Sequence, residues 1–169
     1  MSADPAPRPS EDDLVEEKWA NYPRTVLEFP VPGAPRIDLR RPVGERERAL
    51  LGERGLTSAF AVLTAENPWG ANAEDQPTDA GEEAAERRNA ERRARLEREL
   101  REAGIAFVRC DGVAPDGDYR EHGVALTVEQ RKAVEIARRY RQLAFFWFDG
   151  RDFWLVGAVA DKGPERLPR

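Results

Sequence analysis

Leu143-Ala144-Phe145-Phe146-Trp147-Phe148 and Phe153-Trp154-Leu155-Val156 stand on either side of Asp149-Gly150-Arg151-Asp152. Two aromatic, β-favouring runs around an Asp-Gly turn predict a β-hairpin. Working back towards the N-terminus, Ser58 to Leu63 is apolar at odd and even positions alike. Both of its faces therefore need cover, which predicts a central strand. Between these strands lie two helical patterns. Glu82 to Ala103 opens with acids, is rich in Ala, Arg and Glu, and is followed by Gly104. Its inward stripe is Ala85, Asn89, Leu96, Leu100 and Ala103. The second pattern, from Val128, carries Ala133, Ile136, Ala137 and Tyr140 at helical spacing, with Thr127 and Gln130 placed for a capping box.

Helices interleaved with hairpins predict an α+β domain: one central mixed or antiparallel sheet, two long helices packed on one face, and a C-terminal β-hairpin. Shorter elements precede it: a helix over Asp12 to Tyr22, an edge strand Thr25 to Phe29, a partner strand Arg36 to Leu39, and a charged helix Val43 to Arg54 ended by Gly55. Ile105 to Cys110 and Val124 to Leu126 read as further strands, and Asp111 to Asp118 as a loop. The expected organisation is a disordered arm over 1–12, a single domain over 13–158 and a flexible tail over 159–169. The stretch Glu66 to about Gly81, full of turn formers, predicts a long loop carrying Trp69.

The chain has 169 residues and a net charge of -5. That length suits one domain with a real core. Arginines are numerous between Arg87 and Arg98, but Glu82, Glu83, Glu86, Glu91, Glu97 and Glu99 interleave with them. The pattern describes a salt-bridged solvent face and argues against nucleic acid as a partner. No apolar run approaches the roughly 18 residues of a membrane span, and the N-terminus has no signal-peptide core. The single cysteine, Cys110, closes an apolar strand and reads as a buried thiol in a reducing compartment, so a cytoplasmic location is expected.

The chain has no Walker loop, dinucleotide fingerprint, His-Glu-x-x-His or paired CxxC, so no motif implies a metal or other cofactor. Asp111 to His122 fails as a calcium loop, because the position that needs a Glu holds His122. Glu121 and His122, the only imidazole, are neighbours whose side chains point to opposite sides of an extended segment. What remains is a set of polar residues where a core boundary would favour carbon. Thr64-Ala65-Glu66-Asn67-Pro68 ends the central strand, and Pro68 predicts extended geometry at Asn67. Asn89 and Arg92 lie on or beside their helix's inward stripe. Polar groups so placed must be paired or must bind something.

At these residues the chain resembles a bacterial family of uncharacterised proteins, domain of unknown function 3293, from about Phe60 to Val156. The similarity is carried by Thr64-Ala65-Glu66-Asn67-Pro68, by Asn89, Arg92, Leu96, Leu100 and Gly104, by Gly112 with Pro115-Asp116-Gly117, by Glu121, and by Ala137, Tyr140, Gln142 and Ala144. Arg93 stands where the family often has a second Asn. The resemblance implies no established activity.

Two functions fit these residues. In the first, Thr64, Asn67, Asn89, Arg92, Glu121 and Gln142 converge at one end of the sheet as a ligand site. Arg92 would hold an anionic small molecule by its planar fork, Glu121 would be the acid/base candidate, and the Trp69 loop would be the lid. In the second, the same residues form a structural network in a protein-interaction or regulatory module, whose surface would be the aromatic hairpin.

Overall fold

An element that is apolar on both faces has to lie between two layers, and Phe60–Thr64 does. In the computed structural model, which describes residues 8–70 and 79–169, Phe60 and Val62 face one layer while Ala61 and Leu63 face the other. The elements run α1 (Glu11–Asn21), a 3-10 turn (Tyr22–Arg24), β1 (Val26–Glu28), β2 (Arg36–Asp38), α2 (Glu45–Glu53), β3 (Phe60–Thr64), α3 (Asp79–Glu102), β4 (Phe107–Arg109), β5 (Asp111–Val113), β6 (Arg120–Glu121), β7 (Gly123–Leu126), α4 (Gln130–Arg139), β8 (Ala144–Phe148), β9 (Phe153–Gly157) and β10 (Glu165–Leu167).

The chain is α+β, with two antiparallel sheets where one was expected. The larger has the order β10-β9-β8-β3-β7-β4 and the smaller β2-β1-β5-β6. On one side of the large sheet, Phe60, Val62, Ala144, Phe146, Phe148, Phe153 and Leu155 pack with Leu27 and Ile37 of the small sheet and with Trp19, Leu51 and Leu56. On its other side, Ala61, Leu63, Leu126, Phe145 and Val156 meet Leu96 and Leu100 of α3 and Ala133, Ile136 and Ala137 of α4. The expected pair of long helices is also revised: α3 has 24 residues and α4 has 10. Among the described residues, no helix is long and apolar enough to cross a membrane.

Local chemistry explains the element ends. At the β8–β9 turn the Asp149 carboxylate accepts the N–H groups of Arg151 and Asp152 at 2.8 and 2.7 Å and the Trp154 indole at 2.8 Å. Gly104, at φ +68, ends α3 with Ile105 N–H on the Leu100 carbonyl and Gly104 N–H on Arg101, the bond pair of a Schellman motif. Thr127 does not cap α4. That helix starts at Gln130, and its N-cap Glu129 makes no side-chain cap bond.

Two further readings change. Asp111 to Asp118 is not a plain loop, because Asp111–Val113 pairs with both β1 and β6. The closing residues are not a loose tail: β10 pairs with β9 at the edge of the large sheet, and Glu165 accepts the Trp19 indole N–H at 3.0 Å. Most of the expected N-terminal arm and the middle of the long loop lie outside the described residues, although Glu11 and Asp12 open α1.

The outer face of the small sheet carries a transverse row of charges. Arg36, Glu28 and Asp111 are in register across β2, β1 and β5. The like-charged Glu28 and Asp111 are bridged by Arg120, at 2.8 and 2.9 Å, and His122 Nδ1 lies 3.2 Å from Asp111.

Candidate functional site: a cleft between the two sheets

Thr64 ends β3 by donating to the His122 carbonyl at 2.7 Å and accepting the Glu66 N–H at 3.0 Å. The chain then turns inward. Glu66 is 3% exposed, ion-paired with Arg93, and its other oxygen accepts the His122 N–H at 3.2 Å. Burial pushes the Glu66 carboxyl upward in pKa, and the Arg93 bond pulls against it.

Asn67 is left-handed at φ +47, not extended. The preference imposed by Pro68 is outweighed because Asn tolerates this region and the conformation completes a network. Asn67 N–H donates to Asn89 Oδ1 at 3.0 Å, and Asn89 Nδ2 donates back to Asn67 Oδ1 at 3.0 Å. Asn67 Nδ2 reaches Glu121 Oε1 at 2.9 Å and the Tyr119 hydroxyl at 3.1 Å. Tyr119 in turn donates to Glu121 Oε1 at 2.6 Å. Burial of that hydroxyl and the adjacent carboxylate raise the Tyr119 pKa. Arg92 donates to Asn89 Oδ1 at 3.0 Å.

Beside this network the two sheets part to leave a cleft of about 490 Å³. Its apolar walls include Leu27, Val62, Leu143, Ala144 and Phe146, and Cys110 lies at its base, fully buried, with its thiol pKa raised by that burial. Tyr22, Thr64, Asn67, Trp69, Tyr119, Glu121 and Gln142 supply polar atoms. Gln142 is 7% exposed and spends its N–H donors on the Glu66 and Tyr140 carbonyls, at 2.8 and 3.2 Å. Tyr22 lies close enough to Glu121 for the carboxylate, after burial, to raise its pKa.

Gly112 helps to make the space. It sits in register between Leu27 and Glu121. A Cβ there would meet only Thr25 Cγ2 at 3.5 Å, an ordinary contact, so neither crowding nor positive φ demands this glycine. Gly123 differs, since a Cβ there would fall 2.6 Å from the Leu63 carbonyl oxygen. Backbone strain gathers here as well. Among the described residues the non-glycine positions with positive φ are Asn67 and Arg141, at +54. Arg141 accepts the Trp69 N–H at 2.8 Å.

Of the six site residues expected from sequence, Thr64, Asn67, Glu121 and Gln142 line the cleft. Asn89 and Arg92 do not: Asn89 holds Asn67 from behind, and, among the described residues, Arg92 bonds only Asn89. Glu121 and His122 point to opposite sides as expected, Glu121 into the cleft and His122 towards Asp111. Trp69 lines the mouth and donates its indole N–H to Glu11 at 3.3 Å.

Sequence reasoning missed three contributors. Tyr119 was detectable, because residues two apart in a strand share a face and it lies two before Glu121. Gly112 and Tyr22 were not, because their place depends on how the small sheet stacks.

No curated protein and no solved structure matches the chain. Residues 63–145 match the family model described as "Protein of unknown function (DUF3293)". The strand end at Thr64, the helix bearing Asn89, the Glu121 strand and Gln142 all fall inside that match, and over these residues the chain is similar to the DUF3293 family.

Proposed function

We propose that the protein binds a small organic molecule in the cleft between its two sheets. The apolar part of the ligand would lie against Leu27, Val62 and Phe146, and its polar end at Glu121. The observation that carries this reading is the space itself. It has the volume of a small-molecule site and the expected mix of apolar walls and a few convergent polar groups. It is also widened by a strand glycine that the backbone does not need.

The anion held by Arg92 is not carried forward, because Arg92 does not line the cleft and the carboxylate of Glu121 does. The rest of the polar set has a structural task. Arg93 neutralises the buried Glu66, and Asn89 fixes the backbone of Asn67. The hairpin is less suited to docking a partner than its composition suggests. Phe146, Phe148 and Phe153 are buried, and Trp147 and Trp154 are half-buried.

A thermal-shift screen of metabolites and fragments tests the proposal against Gly112→Leu, which fills the cleft. Compounds that stabilise the wild type are expected to lose their effect in the variant. Hits that stabilise both proteins equally would place binding elsewhere and refute it.

A further inference from the structure

Resting on the cleft as the binding site, we infer that its ligand carries a cationic head group, an organic ammonium, held by Glu121. The argument starts from charge pairing. Among the carboxylates carried by the described strands, Glu28, Asp38, Asp111 and Glu165 each have an arginine partner. Glu121 has no cationic partner among the described residues. Both of its protein bonds, from Tyr119 and Asn67, arrive on Oε1. Oε2 receives no donor from the described residues. The carboxylate is half-buried and faces a largely apolar space, where an unmatched charge is costly and an opposite charge is attracted more strongly than in water.

The surroundings suit an alkylammonium better than a metal ion or a second arginine. Tyr22, Trp69, Tyr119 and Phe146 line the same cleft, and Tyr22 packs edge-on against Phe146 with ring centroids 6.2 Å apart. Aromatic faces beside one carboxylate are the usual surroundings of a bound organic cation. The hydroxyl of Tyr22 has no hydrogen-bond partner among the described residues and adds a polar contact close to Glu121. The other charged residues along the cleft, Lys18, Arg24 and Asp116, are exposed at its rim. They leave Glu121 as the one carboxylate lining the cleft, among the described residues, that is even half-buried.

The test uses the full chain and three probes of one shape: phenethylammonium, phenethyl alcohol and phenylacetate, titrated while amide NMR shifts are followed. The ammonium is expected to bind at least about tenfold tighter than either analogue. Glu121→Gln, which keeps an acceptor for Asn67 and Tyr119, should erase that preference while leaving the alcohol unchanged. Lys18→Ala should leave the ordering intact. The inference is overturned if phenylacetate binds as well as the ammonium, if Glu121→Gln keeps the preference, or if the ammonium does not bind. A preference that disappears in Lys18→Ala would also overturn it, by assigning the selectivity to the rim. The cleft reading is judged separately, by whether Gly112→Leu abolishes the hits of the screen, so the two can fail independently.

Discussion

Replacing Asn89 by alanine tests the network that shapes the site. The side chain is 6% exposed and makes three hydrogen bonds. Its loss leaves the Asn67 N–H without an acceptor in a part-buried position, which costs about 1–2 kcal/mol. The Asn89–Asn67 amide contact contributes about 0.5–1.5 kcal/mol more. Arg92 can turn to solvent, so its bond adds little. The expected destabilisation is about 2–3 kcal/mol in urea unfolding, or roughly 4–12 °C in Tm for a chain of this length. Arg92→Ala, which removes only the outermost member, should stay within about 0.5 kcal/mol of wild type. A change below about 0.5 kcal/mol for Asn89→Ala would show that these bonds do not hold the Asn67 turn. An Arg92→Ala effect as large as that of Asn89→Ala would show that the hierarchy is inverted.

Glu66 titrates with a raised pKa when folded, so the folded state binds its proton more tightly than the unfolded one and stability falls as pH rises above the ordinary carboxylate range. Arg93→Ala should steepen that fall, costing about 3 kcal/mol at neutral pH and much less in acid, whereas Glu66→Gln should flatten it; urea unfolding across a pH series reads both. Arg141 occupies a left-handed position at the end of α4, where glycine is unstrained, so Arg141→Gly should gain about 0.5–1 kcal/mol by calorimetry. Native Cys110 should resist alkylation until the chain unfolds, because the thiol is buried and its pKa is raised; labelling kinetics in increasing denaturant check this.

Much of the architecture could be read in advance because its signals are local. Asp149-Gly150 sits between aromatic runs, and Ala59 to Leu63 is apolar on both faces, so hairpin and central strand needed no knowledge of the rest of the chain. The second sheet was hidden because β5 and β6 are three and two residues long and lie among turn-forming residues. Its pairing with β1 also joins segments far apart in sequence. The site was half legible for the same reason. Thr64, Asn67, Asn89 and Arg92 stood out as polar groups at core boundaries and Glu121 through the family resemblance, but Asn89 and Arg92 stay outside the cleft. Glu66 did not, since a glutamate in a turn-rich stretch reads as solvated until Arg93 is seen to cover it. The space beside Gly112 exists only once the sheets are stacked.

The bond between Trp19 and Glu165 joins positions 146 residues apart, with Lys162 lying over the Trp19 ring at 5.3 Å. During synthesis on the ribosome, the first helix must therefore wait for the last strand before its one buried anchor is satisfied. Contacts of such long sequence separation slow folding. The helix that lends Lys18 and Asn21 to the mouth of the cleft is thus a late-arriving piece, and amide exchange in α1 should rise and fall together with that in β10.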